Sequence, residues 1–375
     1  MSFFSYNFLG EIMKKIFLTL FLIVAFFPLK INAFDTGATS AILMDIDSHR
    51  ILYSKNIHNR RSIASISKIM TAMIAIESGK LDDTVTVGQE IEAAYGSGIY
   101  IKQGEHILLR ELVYGLMLRS GNDAALAIAN YVGGSVDTFV DMMNEKAKTL
   151  GMNDSEFNNP SGLDEEKGNY STAYDMALLT SYAMKNETYQ KIVSTKNYKV
   201  KTDMNYYDWT NKNKLLFSYK YTTGGKTGFT EIARRTLVTT ASKDNFNLVA
   251  VTLNDGNDFE DHRKLFEEAF ATYTNYEILN KGNLSIPGEN YYNNCYLYLK
   301  ESFSYPFLNE EKNHITVKYQ LNKLRSYQND DIVGEAIVFV NDEKIVSLPI
   351  YVKQKEQLIQ RSFFTKFIDW FKSIW

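Results

Sequence analysis

The sequence predicts an α/β (α+β) domain over residues 34–274, a small all-β domain over residues 275–352 and a terminal helix over residues 353–375. In the first stretch, β-like runs stand at both ends and the middle is helical. A sheet that is assembled from both ends, with helices on its faces, explains this order without regular strand and helix alternation. Beyond residue 275, short alternating runs replace the helical spacing. The last residues are amphipathic.

Residues 1–33 have the pattern of a secretory signal peptide. A pair of lysines beginning at Lys14 precedes an apolar run over residues 16–29, and small or polar residues follow up to Ala33. A membrane-spanning helix is the competing interpretation, since spanning needs roughly 20 apolar residues. Pro28 and the lysine that follows shorten the run, so we expect export with cleavage after Ala33.

The first elements after this segment are a hairpin and a helix. Residues 39–46 and 50–53 are β-like and are separated by a short polar turn, which predicts a hairpin. Residues 66–77 place apolar side chains at helical spacing, and a Ser-Gly pair ends that helix. Ser65 therefore stands at the start of a helix.

The remaining elements follow from the same periodicities. Helices are predicted over residues 108–131, 136–150, 172–184 and 262–273, and strands over residues 237–241 and 248–253. Short strands are predicted over residues 296–299, 315–319, 336–340 and 345–351, with a hairpin turn at residues 341–344. The small β domain that these last strands form contains no candidate for chemistry.

The terminal segment, residues 353–375, is predicted to be an amphipathic helix. Phenylalanine, isoleucine and tryptophan side chains occupy about half of its helical wheel, and charged side chains lie opposite. Such a concentration of aromatic residues favours attachment to a membrane surface. A helix packed on the protein's own surface and a dimerisation helix are the alternatives.

The composition excludes several kinds of partner. The 41 basic and 44 acidic residues give a formal net charge of −3, so nucleic acid is not expected as a partner. The single cysteine, Cys295, rules out an intrachain disulfide and a thiolate metal cluster. None of the five histidines stands in a recognisable triad context.

Three short motifs follow one another along the chain. They are Ser65-Ile66-Ser67-Lys68, Ser120-Gly121-Asn122 and Lys226-Thr227-Gly228. Each alone is weak, because such residues are most often helix caps, polar turns or glycine-rich turns. Their order, spacing and context together resemble the penicillin-binding protein and serine β-lactamase superfamily.

Physical chemistry supports the first motif beside that resemblance. Residues three apart on a helix have Cβ atoms roughly 5 to 6 Å apart, so Lys68 can reach the hydroxyl of Ser65. A lysine acts as a base only when it is neutral. Burial would depress its pKa, and we expect Lys226 to be a second cation that does the same. The helix N-terminus at Ser65 would also favour a developing oxyanion.

The second motif is expected to serve the leaving group and the substrate. Gly121 would let the chain turn between helices, so that Ser120 and Asn122 both point inward. Ser120 would pass a proton toward the leaving amine. Asn122 would hold the substrate's peptide group.

The third motif is expected to bind a free carboxylate. Lys226, Thr227 and Gly228 would lie on a strand edge after two further glycines. By analogy with the superfamily, the oxyanion hole would consist of the backbone N–H groups of Ser65 and Phe229.

Flanking residues narrow the resemblance to the low-molecular-mass D-alanyl-D-alanine carboxypeptidases. The similar segments are residues 64–72, 119–125, 159–163 and 226–230. This resemblance implies a β-lactamase/transpeptidase-like catalytic domain with an antiparallel sheet flanked by helices, then a small β domain and an amphipathic membrane anchor. One departure is Ala233-Arg234-Arg235, where these enzymes usually have Ala-Gly-Arg. Arg234 is expected to alter the turn after the binding strand.

The resemblance also implies acyl transfer by a serine-type carboxypeptidase. Ser65 would attack the penultimate D-alanine carbonyl of a peptidoglycan stem pentapeptide, the terminal D-alanine would leave, and water would release the acyl-enzyme. No metal or organic cofactor is needed for this reaction. β-Lactam antibiotics would acylate the same serine as covalent inhibitors. The enzyme is expected on the outer face of the cytoplasmic membrane or in the cell wall space.

Two other functions stay open at this point. A serine β-lactamase shares the three motifs, but class A enzymes usually have Ser-Asp-Asn as the second motif. The sequence also contains no Glu-x-x-Leu-Asn segment, and Glu165 and Glu166 are interpreted as part of a solvated loop. A noncatalytic wall-binding or scaffolding protein is the other alternative, and the presence of all the expected reactive groups argues against it.

Overall fold

A computed structural model describes residues 35–164 and 167–355 of the chain. Its helices are α1 (Lys68–Glu77), α2 (Leu109–Arg119), α3 (Asn122–Gly133), α4 (Val136–Thr149), α5 (Ala173–Ala183), α6 (Glu187–Ser194), α7 (Leu215–Ser218) and α8 (Asp258–Thr272). Its strands up to residue 253 are β1 (Ser40–Asp45), β2 (Ile51–Lys55), β3 (Arg61–Ser62), β4 (Thr84–Thr86), β5 (His106–Leu108), β6 (Tyr170–Ser171), β7 (Asn197–Lys201), β8 (Tyr206–Thr210), β9 (Thr222–Thr230), β10 (Arg234–Lys243) and β11 (Phe246–Leu253). The later strands are β12 (Thr274–Leu279), β13 (Gly282–Leu284), β14 (Cys295–Leu299), β15 (Phe303–Phe307), β16 (Ile315–Leu321), β17 (Ile332–Val340) and β18 (Glu343–Gln354).

Five strands form the central sheet in the order β2-β1-β11-β10-β9, and all neighbouring pairs are antiparallel. The sheet thus joins strands from both ends of the first domain, which confirms the predicted fold class. All six residues of β1 are buried. Helix α5 packs against β1 and β11, and α8 packs against β10 and β11. Coverage by helices explains why β1 and β11 are almost continuously apolar instead of alternating.

Helix α1 lies at the centre of the helical region. Every residue of this helix except Glu77 is buried, and it contacts α2, α3, α4 and α5. A helix that is apolar on all sides can be buried on all sides. Its first residue, Lys68, is the buried residue of the helix with an ionisable side chain, so the core of the domain surrounds a lysine.

The residues after α8 form a β domain with its own core. Five antiparallel strands have the order β13-β14-β18-β17-β16, and β12 pairs with β15. The buried residues of these strands form a hydrophobic cluster separate from that of the first domain. Strand β18 ends at Gln354, so its last two residues fall within the segment predicted as the terminal helix, which begins at residue 353. The rest of that helix, the signal peptide, Glu165 and Glu166 lie outside the described residues.

One arginine connects the two domains. Arg50, from the turn after β1, donates to both carboxylate oxygens of Glu311 at 2.8 and 2.7 Å and to Pro306 O at 2.5 Å. Its guanidinium also lies over the rings of Tyr273 and Tyr305, with distances of 5.3 and 5.0 Å to the ring centroids. Both members of the ion pair are largely shielded from solvent, with side chains 16% and 17% exposed.

Candidate active site

The first motif forms a tight turn that runs directly into α1. Residues Ala64–Ser67 have 3-10 geometry, and the α-helix begins at Lys68, later than the sequence predicts. Ala64, at the start of this turn, has a φ of 50°, which residues with a Cβ adopt uncommonly. Residues three apart eclipse each other in a 3-10 turn, so Lys68 still lies above Ser65.

The amine of Lys68 has three oxygen neighbours. Lys68 Nζ lies 3.0 Å from Ser65 Oγ and 2.7 Å from Asn122 Oδ1, and it also donates to Ser161 O. A neutral amine has two N–H donors and one lone pair. If the two carbonyl-type oxygens accept the two N–H groups, the lone pair faces the hydroxyl of Ser65. This arrangement suits a general base for that hydroxyl.

Burial and a neighbouring cation favour the neutral form of Lys68. The side chain is fully buried, and burial lowers the pKa of Lys68 from 10.5 to about 7, with Lys212 as the second cause. Asp123 acts in the opposite direction. The sequence predicts Lys226 as the second cation. Lys226 is itself buried, and its pKa is lowered well below 10.5 by burial first and then by Lys68 and Lys212. Lys68 and Lys226 repel each other when both are protonated. Once either amine has lost its proton, that repulsion disappears, and Lys212 is then the cation that acts on both amines.

The second motif reaches the site from the junction of α2 and α3. Ser120 has the left-handed conformation there, with a φ of 66°, whereas Gly121 is extended. The prediction that Gly121 makes the turn is therefore wrong. A side chain at this position would crowd the Asp123 carboxylate, because an added Cβ would lie 2.9 Å from Asp123 Oδ1. Ser120 and Asn122 are both buried, as predicted for side chains that point inward.

A loop that the sequence did not single out forms one wall of the site. The buried carboxylate of Asp123 accepts the backbone N–H groups of Ile99 and Tyr100, the latter at 2.6 Å. Asn122 Nδ2 donates to Tyr95 O at 2.5 Å, in the same loop. These bonds hold Ser97 at the cleft, where Lys212 Nζ lies 3.0 Å from its hydroxyl oxygen.

The third motif lies on β9, the edge strand of the central sheet. Lys226 is buried and its Nζ donates to Thr227 O at 2.7 Å. An added Cβ at Gly228 would lie 2.3 Å from Thr236 Oγ1, 3.0 Å from Ser65 N and 3.1 Å from Ile66 N, so a glycine suits a strand that passes this close to the turn at Ser65. The next residue, Phe229, exposes 56% of its surface.

The three motifs meet around a common cleft. This cleft, of about 330 Å³, is lined by Ser65, Ser97, Ser120, Lys212, Lys214, Thr227, Gly228, Phe229, Arg235, Asp258 and Phe259. A larger groove of about 850 Å³ lies beside the start of β9, at Thr222 and Thr223, and none of the motif residues lines it. Within residues 35–164 and 167–355, no cluster of three or more histidine, cysteine, aspartate or glutamate residues could hold a metal ion.

Three groups that act on Lys68 were not predicted to do so from the sequence. They are Lys212, Asp123 and the carbonyl oxygen of Ser161. Asp123 and Ser161 fall in segments that carry the family resemblance, so their neighbourhood could have drawn attention to them. Lys212 lies outside every motif, and no local pattern distinguishes it from the other lysines.

Comparison with known proteins decides the family. A sequence profile described as D-alanyl-D-alanine carboxypeptidase matches residues 29–257, and one described as penicillin-binding protein 5, C-terminal domain, matches residues 273–357. The chain belongs to the D-alanyl-D-alanine carboxypeptidase family. It is a serine-type carboxypeptidase, and the resemblance that its motifs indicated is confirmed.

Individual relatives agree with this assignment. The carboxypeptidase is 35% identical to D-alanyl-D-alanine carboxypeptidase DacF of Bacillus subtilis over 64% of each chain. It is 31% identical to DacD of Escherichia coli, over 90% of this chain and 91% of DacD. Among solved structures, penicillin binding protein 5 of Haemophilus influenzae superimposes with a TM-score of 0.71 at 25% identity, over 86% of this chain and 98% of that one. The Francisella tularensis DacD structure has a TM-score of 0.64 at 27% identity, with coverages of 86% and 95%.

The departure at Arg234 has a structural outcome in this carboxypeptidase. Arg234 has a φ of 59°, so an arginine adopts the left-handed conformation that glycine adopts easily. The residue pairs with Thr230 across the short connection from β9 to β10. Its side chain is exposed and forms an ion pair with Glu231 at 3.1 Å. The arginine thus takes a glycine-like conformation at the turn, at a conformational cost of roughly 1 to 2 kcal/mol.

Proposed function

We propose that Ser65 is the nucleophile that removes the terminal D-alanine from peptidoglycan stem pentapeptides. The observation that carries this proposal is the position of Lys68, a fully buried amine 3.0 Å from Ser65 Oγ with a pKa of about 7. At neutral pH such an amine is free to accept the serine proton. An ordinary lysine would be protonated and unable to act as a base.

The steps of the reaction follow from the positions of these groups. Lys68 takes the Ser65 proton as the serine oxygen bonds to the penultimate D-alanine carbonyl carbon. The backbone N–H groups of Ser65 and Phe229 would stabilise the oxyanion, and the close approach of β9 to the nucleophile turn supports that pairing. Ser120 would relay a proton to the leaving amine as the C–N bond breaks. Water then hydrolyses the acyl ester and restores the serine hydroxyl.

The terminal carboxylate of the substrate would bind at the third motif. Lys226 and Thr227 would contact it, and Gly228 leaves room for the peptide beside β9. A carboxylate next to Lys226 favours the protonated amine, so substrate binding would raise the pKa of Lys226, which burial lowers. Asn122 would hold the peptide group of the substrate while its Oδ1 accepts from Lys68.

We further propose that β-lactams acylate Ser65 and that the mature protein acts outside the cytoplasmic membrane. The family supports both statements, and the pattern of residues 1–33 supports export. The proposed regions are a signal peptide (1–33), a catalytic domain (34–274), a β domain (275–352) and an amphipathic membrane anchor (353–375). The separate hydrophobic cores support the division between the two domains. Among residues 35–164 and 167–355, none of the helices has both the length and the hydropathy of a membrane span.

The nucleophile is tested with Ser65→Ala and a matched control, Ser67→Ala. Ser67 lies in the same turn, and its hydroxyl donates to Ala64 O at 2.9 Å instead of facing Lys68. We expect Ser65→Ala to lose both D-alanine release and covalent penicillin labelling, and Ser67→Ala to keep both. Mass spectrometry of the labelled peptide identifies the residue. Labelling that persists in Ser65→Ala would overturn the assignment, and rapid penicillin turnover without a long-lived adduct would favour a β-lactamase.

The membrane anchor is tested by truncation after Lys355, because β18 extends to Gln354. We expect the truncated enzyme to leave the membrane fraction in active form. Continued sedimentation with membranes would exclude the terminal segment as the anchor.

A further inference from the structure

Asp164 connects two segments that border the catalytic cleft. Its Oδ1 accepts the hydroxyl of Ser62 at 2.6 Å, and its Oδ2 accepts the hydroxyl of Thr230. Ser62 lies on β3, three residues before Ser65. Thr230 is the last residue of β9 and directly follows Phe229. One carboxylate therefore links the nucleophile segment to the end of the substrate-binding strand.

The loop that carries Asp164 also contacts the general base. Ser161 O, three residues earlier, accepts a hydrogen bond from Lys68. Gly162 lies against the nucleophile turn so closely that an added Cβ would be 2.0 Å from Ala64 O. Gly168 packs directly against the Asp164 carboxylate, since an added Cβ at Gly168 would lie 2.4 Å from Asp164 Oδ1. Asp164 is thus held in place by a loop that already contacts both Ser65's turn and Lys68.

Thr230 extends the connection to the turn after β9. Its hydroxyl oxygen accepts the backbone N–H of Ala233 at 3.0 Å while its proton goes to Asp164. The positions of β9 and of the β9–β10 turn relative to Ser62 therefore depend on this carboxylate together with the Thr236 hydroxyl of β10, which donates to Ile63 O at 3.0 Å. A neutral or shorter side chain at 164 could not accept both hydroxyl protons, because two acceptor oxygens at this spacing are what a carboxylate provides.

We propose that Asp164 is a positioning residue that sets the separation of the two oxyanion-hole N–H groups. The inference rests on the proposed function, in which those groups belong to Ser65 and Phe229. Asp164 bonds to residues on either side of that pair, one before Ser65 and one after Phe229. An oxyanion hole works only when both donors lie about 2.7 to 3.1 Å from the developing charge, so a small separation of the two segments weakens it.

The test compares Asp164→Ala and Asp164→Asn with Asp175→Asn. Asp175 belongs to α5, and its Oδ2 accepts the Ser155 hydroxyl at 2.7 Å and the Asp154 N–H at 3.0 Å. Its loss disturbs the other end of the same loop without touching β3 or β9. The readouts are kcat and KM for D-alanine release, the melting temperature, and the infrared carbonyl stretch of the penicillin acyl-enzyme.

We expect Asp164→Ala to lower kcat by at least about tenfold, below the roughly 10²- to 10³-fold loss that accompanies removal of a whole oxyanion donor. KM should stay within about twofold of wild type, because the carboxylate site on β9 keeps its residues. The acyl carbonyl stretch should move to higher wavenumber as hydrogen bonding to its oxygen weakens. Asp164→Asn, which keeps one acceptor oxygen, should fall between wild type and Asp164→Ala. Asp175→Asn should leave the carbonyl stretch at its wild-type position.

An unchanged carbonyl stretch and kcat in Asp164→Ala would overturn the proposal, as would equal spectral shifts in Asp175→Asn. If Asp164→Ala does not fold, Ser62→Ala, Thr230→Val and the double variant replace it. Either single change breaks the same connection, so we expect losses in kcat that are clearly less than additive. Independent, additive losses would contradict the inference. Failure of the proposed function is recognised separately, because wild-type enzyme would then carry no acyl group on Ser65.

Discussion

The acylation rate should fall at low pH as Lys68 becomes protonated, and this fall is the acid limb of the pH profile. Replacing Lys212 with glutamine should move the acid limb to higher pH. Lys212 is the neighbouring cation that, after burial, lowers the pKa of Lys68. Its amine lies 3.0 Å from Ser97 Oγ, and glutamine can keep a hydrogen bond to that hydroxyl while it removes the charge. Without the charge, the protonated form of Lys68 becomes easier to maintain.

The size of the effect follows from the fraction of neutral Lys68. With a pKa of about 7 in place of 10.5, roughly half of the amines are neutral at pH 7 instead of about 1 in 3,000. This difference corresponds to roughly 5 kcal/mol against the charged form. The acid limb of the Lys212→Gln variant must lie above about 7 and below 10.5. At a fixed pH below the pKa of Lys68, each unit by which that pKa rises lowers the neutral fraction, and with it the acylation rate, about tenfold.

The assay is the second-order rate of acylation by a fluorescent penicillin between pH 5 and 10, chosen to bracket a pKa of about 7. Lys212→Arg keeps the positive charge and should restore the wild-type limb. Lys214→Gln removes a cation that lines the same cleft but is not among the charges that shift Lys68, so its limb should stay in place. Identical limbs in wild type and Lys212→Gln would refute the electrostatic role of Lys212. A wild-type limb near 10 would refute the neutral base itself.

Three further predictions concern stability and are measured by urea unfolding. Gly162→Ala should destabilise the protein severely, because the φ of Gly162 is 79° and an added Cβ would lie 2.0 Å from a backbone oxygen. Gly134 has a similar φ of 76° but open space around it, so Gly134→Ala should lower the unfolding free energy by only about 1 kcal/mol. Arg234→Gly should stabilise by roughly 1 kcal/mol, since it relieves the left-handed conformation at a φ of 59°. Arg50→Met should lower the unfolding free energy by about 3 kcal/mol, because it removes the shielded ion pair with Glu311 while that carboxylate stays largely buried. Glu311→Gln should reduce that deficit when combined with it.

The proposed reactive groups could be found in the sequence because each of the three motifs holds its polar side chains within a few residues of one another. Ser65 and Lys68 are one turn apart, and that spacing brings their side chains together in a 3-10 turn as well as in an α-helix. The apolar periodicities predicted the sheet and most helices for a similar reason, since each element must bury one face. Even where a detail was wrong, as with the left-handed residue between α2 and α3, the motif still reached the cleft.

Only the tertiary structure decided which groups act on those residues from a distance. A lysine such as Lys212 and a loop carboxylate such as Asp164 have no local pattern that distinguishes them in the sequence. The segment around Ser161 does resemble the family, but it does not reveal that the main-chain oxygen of Ser161 contacts Lys68. Their effects depend on lying within a few ångströms of Lys68 or of the nucleophile segment, and the folding of distant parts of the chain sets those distances. Electrostatic interaction and hydrogen bonding depend on separation in space, whereas the order of residues specifies only separation along the chain.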